Sequence, residues 1–319
     1  MTTRTPAPVI SSEARNLSSL QPSNLQTCKP STLPKISLVT PVFNSAKYIE
    51  QTIQSVLAQN YPNLEYFIAD GGSTDGTLDI IRKYESKISG WLSEPDKGMY
   101  DALNKGFART SGEVMGWISA TDKLHTGGLL VVGSVFRDMP PEVEWITGRP
   151  TGFNDEGMTT LVLDLPRWSR YRFLAGANRY IQQESTYWRR SLWERAGSRM
   201  DASRRNGSDF ELWVRFFRHA KLYPVDALIG GYRWHGDALS IVDLDASHAT
   251  HDEFVEAELA AIPWGKSLRA FRRISATMQS IPKVRWFWKR LVMNPLYHLP
   301  GSDWPPLIRY QTDRWKFWF

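Results

Sequence analysis

The chain is almost without cysteine. Cys28 stands alone among 319 residues, which excludes any intramolecular disulfide and fits a reducing compartment. It also lacks an apolar stretch long enough to span a bilayer as a helix; the longest, Leu129 to Phe136, reads as an internal helix or strand. Residues 1–34 have no continuous apolar core of the kind a secretory signal carries. Rich in Pro, Ser, Thr and Asn and with little periodicity, they read as a flexible arm. No internal repeat is evident, and no recognition module accompanies the charge, so nucleic acid is not the expected partner. What is present is enough chain for one large or two small domains with a sizeable core. The formal net charge is +6, and basic residues dominate from Gly265 to Arg290.

Order is expected to begin at the β-branched run Ile36-Ser37-Leu38-Val39-Thr40. A helix follows from about Ser45, with Tyr48, Ile49, Ile53, Val56 and Leu57 at helical spacing, and Asn60-Tyr61-Pro62-Asn63 breaks it. Tyr66–Ala69 is a second strand, Thr77 to about Tyr84 a helix, and Ile88–Leu92 a third strand. Ala102–Ala108 is a helix and Val114–Ile118 a fourth strand. Strands alternating with helices predict βαβ units, a largely parallel sheet and right-handed connections. After about residue 140 the pattern changes. Strands near Val143–Thr147 and Leu161–Leu163 lie among loops, followed by helices near Ser191–Ala196 and Phe210–His219. Beyond about residue 248 the chain reads as helical, then loop-rich, with tryptophan and arginine interleaved.

Polar clusters stand at the carboxyl ends of the four early strands. They are Thr40-Pro41-Val42-Phe43-Asn44, Asp70-Gly71-Gly72-Ser73-Thr74-Asp75-Gly76-Thr77, the segment Asp96–Gly106, and Ser119-Ala120-Thr121-Asp122. In a doubly wound sheet those ends share one edge, so the clusters converge on one crevice. Taken singly, each has a plainer reading: Asp70 opens an ordinary strand-to-helix turn, and Asp122 caps a following helix. As a set, over about residues 35–240, they resemble the family 2 glycosyltransferases, which have the GT-A fold and invert the anomeric centre.

The resemblance implies transfer of a sugar from a nucleotide-sugar donor to an acceptor hydroxyl. It places Phe43 on the base, with Pro41 and Asn44 shaping the pocket and Asp70 accepting a hydrogen bond from the base. Lys97 and Asn104 fall in the family's nucleotide and phosphate contact region, Lys97 as a point charge. Thr121-Asp122 is similar to the family's acidic metal-binding motif, with threonine where a second acid is usual. Asp122 is thus the ligand expected for a divalent cation, Mg2+ or Mn2+, with Thr121 a weaker polar contact. Ser208-Asp209-Phe210-Glu211-Leu212-Trp213 looks like the family's helix start that carries the catalytic base, which assigns that role to Asp209. Tyr232-Arg233-Trp234-His235 resembles the late Arg-x-His segment, where His235 reaches the metal or stays structural, and Arg233 clamps phosphate or pairs with an acid.

These readings predict an α/β chain. It has a GT-A-like, Rossmann-related, mostly parallel sheet flanked by helices at 35–245, after an arm at 1–34, and a basic, Trp-rich helical extension at 246–319. The expected partners are a nucleotide-sugar donor and a sugar or lipid-linked glycan acceptor. The stretch Arg285–Met293, apolar and basic together, suits an anionic membrane surface. The chain is expected in the cytoplasm, peripheral at the inner face of the cell membrane. Two other readings stand beside this one. A nucleotidyltransferase would want a basic, glycine-rich phosphate loop after the first strand, which Pro41–Ser45 does not supply. A nucleotide-binding protein that has lost catalysis draws its support from Thr121.

Overall fold

The structure is a computed structural model that describes residues 33–176, 180–234, 244–293 and 304–318. The arm at residues 1–32 and His235 lie outside the described residues. Order begins at Leu33, which is buried in the core, and the Pro34 carbonyl accepts a hydrogen bond from the Tyr61 hydroxyl at 2.7 Å.

A seven-stranded sheet forms the centre. Its order is β10–β6–β9–β4–β1–β2–β3, where β1 is Ile36–Val42, β2 Leu64–Asp70, β3 Gly90–Ser93, β4 Val114–Trp117, β6 Trp145–Thr147, β9 Thr186–Arg189 and β10 Leu222–Pro224. β1 pairs in parallel with β2 and β4 and is buried along its whole length, as a strand covered on both faces must be. Its side chains divide between two cores. Ile36, Leu38 and Val42 join the layer of α1 (Ile49–Leu57) and α4 (Gly128–Asp138). Val39 joins the layer of α3 (Met99–Phe107) and α7 (Ser208–Phe216). α2 (Thr77–Lys83) adds Ile81 to the first layer, and α5 (Arg170–Leu174) and α6 (Arg190–Arg195) add Phe173, Leu174, Leu192 and Trp193 to the second. The run Leu129–Phe136, open between helix and strand by periodicity, is the helix α4.

One strand departs from the parallel expectation. β9 runs antiparallel to both neighbours, β4 and β6. A smaller sheet, β5–β11–β7–β8, covers one end of the first, with β5 Lys123–Leu124, β7 Thr151–Phe153, β8 Thr159–Val162 and β11 Gly230–Arg233. His125 joins these pieces. Its Nε2 lies 2.8 Å from Thr151 Oγ1 and its ring 4.8 Å from that of Phe153. Burial, aided by the Lys123 charge, holds its pKa down at about 4 against the usual 6.5. Between those values the unfolded chain takes up a proton that the folded chain excludes. The stability His125 contributes is therefore present above about pH 6.5 and lost as pH falls toward 4. Replacing His125 with Gln should flatten the fall of the thermal midpoint across that window; equal slopes in variant and wild type would refute the assignment.

The C-terminal region holds three helices, α8 (Leu244–Ala261), α9 (Gly265–Ser280) and α10 (Pro282–Phe287), then a π-helical segment, Trp288–Met293. α8 is part of the same core as α7. Val255 and Leu259 are buried there, and Glu258, almost fully buried, pairs with Arg170 and Arg218, each at 2.6 Å. The region expected to be loop-rich closes instead as a hairpin, β12 (Leu307–Gln311) and β13 (Arg314–Trp318). Thr312 turns it in the left-handed region, φ 64°. Trp315 anchors the hairpin, with its indole N–H donating to Ser134 Oγ at 2.7 Å. The alternation that makes these strands is only five residues long on each side, which is why it read as irregular chain.

Candidate active site

The sheet register brings the polar clusters to one edge. Val42 lies opposite Asp70 and Asp70 opposite Ser93 at the ends of β1, β2 and β3. β4 ends beside Val39 and runs on to Ser119–Asp122. The first two loops are laced together. Asn44 N–H donates to Ser73 Oγ at 2.7 Å, Thr74 N–H to Asn44 Oδ1 at 2.9 Å, and Ser45 N–H to Thr77 Oγ1 at 2.9 Å. Asn44 sits at φ 45°, a conformation its short polar side chain tolerates. Pro41 is buried within β1, whereas Phe43 is 60% exposed. Phe43 is thus an open aromatic ring at the rim.

Asp70 is 1% exposed and its carboxylate is engaged inside the protein. Oδ2 accepts from Gly72 N–H at 2.9 Å, Ser73 N–H at 3.0 Å and Ser93 Oγ at 2.6 Å; Oδ1 accepts from Ser73 Oγ at 2.5 Å. Asp70 thus holds the loop that carries the rim. Asp96 lies across from it. The Gly71 backbone passes close to it, and a Cβ there would stand 2.5 Å from Asp96 Oδ2, so a larger residue would displace the Asp96 carboxyl. Asp96 Oδ1 accepts from Gly98 N–H at 2.7 Å, while Oδ2 has no hydrogen-bond donor among the described residues. Partial burial pushes its pKa up.

Lys97 is exposed and makes no ion pair among the described residues. Asn104 is committed elsewhere. Its amide clamps the backbone of Met200, donating to the carbonyl at 2.9 Å and accepting from the N–H at 2.7 Å. That clamp fixes the loop leading to α7. Arg233, fully buried, is no phosphate contact here: Nε donates to the Thr121 carbonyl at 2.6 Å, Nη1 to the Asp155 carbonyl at 2.6 Å and Nη2 to Gln51 Oε1 at 3.0 Å.

At the centre are three carboxyl groups. Asp122 is 1% exposed; Oδ1 accepts from Arg233 N–H at 2.8 Å, and the side chain is hydrogen-bonded to Ser119 and Glu184. Burial, then the neighbouring Glu184, pushes Asp122 well above the usual carboxylate range. Burial raises Glu184 too, with Asp209 adding repulsion. Glu184 had no assigned role in the sequence, and the antiparallel β9 explains its place. A strand running against its neighbours starts where they end, so the turn Gln183–Ser185 before β9 lies at the edge of Asp122.

Asp209 is the second residue of α7 and is partly exposed. Gly207 precedes the helix at φ 84°, which turns the chain into the site. Tyr100, in the first turn of α3, donates its hydroxyl to Asp209 Oδ1 at 3.2 Å. Burial, then the Asp209 charge, pushes this phenol well above its usual range, so it remains a donor. Tyr100→Phe should lower turnover by about tenfold, the worth of one charge-assisted hydrogen bond that positions Asp209. Unchanged turnover would reduce Tyr100 to packing.

The fit to a divalent cation is partial. Asp122 supplies one oxygen not taken by Arg233, with Glu184 against it. Among the described residues no group of three or more His, Cys, Asp or Glu side chains could hold a metal by itself. A cation here would need oxygens from a bound diphosphate and water, the usual habit of Mg2+.

Residues 37–130 match the family described as Glycosyl transferase family 2. The chain is 39% identical over 93 residues to TuaG of Bacillus subtilis, a protein named for teichuronic acid biosynthesis; the match covers 28% of this chain and 37% of that one. The chain thus spans about a third of the curated relatives it matches. The structure resembles S. aureus TarS 1–349 in complex with UDP-GlcNAc, with a TM-score of 0.59 at 16% identity over 82% of this chain and 77% of that one. It also resembles a mannosyltransferase from Pyrobaculum calidifontis in complex with GDP-Man and Mn2+, with a TM-score of 0.50 at 17% identity over 81% and 84%. At such identities the likeness is one of fold.

Proposed function

We propose that this protein, whose residues 37–130 match glycosyl transferase family 2 and whose fold resembles that of TarS, is an inverting glycosyltransferase of GT-A type. It moves a sugar from a nucleotide-sugar donor to an acceptor hydroxyl. The observation that carries the reading is the position of Asp209. This partly exposed carboxylate is held by Tyr100 at the edge that also bears Asp122 and the open Phe43 ring. Phe43 stacks on the base, Pro41 and Asn44 shape its pocket, and Asp96 accepts from the base. Lys97 meets the diphosphate as a point charge. Asn104 and Asp70 serve by holding the loops.

Asp209 takes the proton from the acceptor hydroxyl as that oxygen attacks the anomeric carbon. The bond to the nucleoside diphosphate breaks in the same displacement, and the configuration inverts. Asp122 would hold a divalent cation, Mg2+ or Mn2+, together with the donor diphosphate, with Glu184 beside it, Thr121 a polar neighbour and His235 a further ligand. Such a cation offsets charge on the leaving diphosphate. The product belongs to a cell-surface polysaccharide or glycolipid. The acceptor is then a sugar or lipid-linked glycan, met at the cytoplasmic face of the membrane.

A panel of UDP-, GDP- and dTDP-sugars, each with and without Mn2+ or Mg2+, tests this through the thermal midpoint. A ligand of the native state raises it by mass action. One nucleotide class should give a shift that grows with metal. No shift with any donor would sink the reading. Thr121, where an acid is usual, favours a second reading as a donor-binding protein without turnover, which would give the shift but no sugar transfer.

A further inference from the structure

We propose that the outer face of α9, α10 and the π-helical segment is a docking surface for an anionic lipid membrane, against which it lies flat. The inference rests on this face alone and not on the reading of the site. From Gly265 to Arg290 there are eight basic residues and no acidic one. α8 neutralises two of them: Arg269 pairs with Glu256 at 2.6 Å, and Arg272 with Asp252 at 2.7 Å. Lys266, Arg273, Lys283 and Arg285 have no ion pair among the described residues, and their charge is left to face outward.

The same face exposes large apolar side chains. Trp286 is 60% exposed, Phe287 57% and Leu291 65%, and Ile274 and Ile281 are open beside them. The hairpin of helices does not need these groups for its own packing. Its interior is filled by Trp288, which stacks on Phe271 with ring centroids 6.3 Å apart and donates its indole N–H to Ser275 Oγ at 3.1 Å. Arg290 sits 5.5 Å from the Trp286 ring, so a cation is held beside the exposed indole. An apolar surface flanked by unpaired cations suits the boundary between headgroups and acyl chains. No described helix is long and apolar enough to cross a membrane, which leaves lying on it. A nucleic-acid site would use aromatic stacking and phosphate contacts; it would not call for Ile274, Ile281 and Leu291 to be open.

The test is flotation of the full chain with vesicles of phosphatidylcholine alone or with about 30 mol% phosphatidylglycerol. The chain should float with the anionic vesicles, stay behind with the neutral ones, and detach in part at about 0.5 M salt as charge is screened. The triple variant W286S/F287S/L291S should bind at least tenfold more weakly with an unchanged thermal midpoint, since these side chains are more than half exposed and Trp286 packs only on Phe287 and Arg290 at the surface, not into the core. The pair K283E/R285E should lose about fivefold per charge removed, the effect of one basic residue near such a surface. Equal binding to both vesicle types would overturn the proposal. So would a triple variant that floats like wild type, or dimerisation in solution that the triple variant abolishes. Binding to single-stranded nucleic acid that outcompetes the vesicles would do the same.

Discussion

Asp209→Asn is expected to cut kcat by about 10²–10⁴-fold, the usual contribution of a positioned general base. Asparagine matches the carboxylate in shape and can still take the Tyr100 hydrogen bond on its carbonyl oxygen, so the fold should stand. It cannot accept the acceptor's proton. Stabilisation by the donor nucleotide should persist, because the role proposed for Asp209 is toward the acceptor hydroxyl and not the donor. Turnover and the donor-induced rise in thermal midpoint are read on the same preparation. Loss of both would mean that Asp209 holds the fold or the donor, and retention of both would remove it from the chemistry. A variant with no turnover to lose would point to a binding protein.

Trp213→Ala should destabilise the fold by about 3–5 kcal/mol, the range for truncating a fully buried large aromatic residue. Trp213 is one helical turn after Asp209 and 1% exposed. Its ring stacks on Trp117 with centroids 5.7 Å apart and on Trp145 at 5.3 Å, and meets Trp188 edge-on at 5.9 Å. These contacts fasten α7 to the face of the central sheet, so the cavity would loosen the helix that carries Asp209. A fall of roughly 5–15 °C in thermal midpoint is expected. Trp213→Phe should cost much less: the indole N–H is buried without a partner, and removing it relieves an unmet hydrogen bond. Equal loss in the two variants would show that ring area is not what matters at this position.

The early half of the chain was legible because its signals are local. Ile36–Thr40 and Tyr66–Ala69 are short apolar runs closed by turn residues, and both are buried parallel strands. Asp209 was assigned from the resemblance of Ser208–Trp213 to the family's helix start, and that helix start is where α7 begins. The role of Asn104 was not legible, because what occupies its amide is Met200, ninety-six residues away. Asp70 looks in the sequence like a ligand contact, yet three neighbouring hydroxyl and amide groups and Ser93 take up its oxygens.

By itself, the sequence determined the alternation of strand and helix and therefore the edge at which the polar clusters meet. Hydrophobic periodicity and turn chemistry act over a few residues, and a parallel sheet brings all its strand ends to one side. Only the tertiary structure decided which carboxyl groups face one another. The direction of β9 set Glu184 against Asp122, and the packing of α3 on α7 set Tyr100 against Asp209. Neither contact has a signature along the chain. Both depend on how a strand or helix inserts between distant neighbours, and that is settled by burial and shape across the whole core rather than by the residues at either end of the bond.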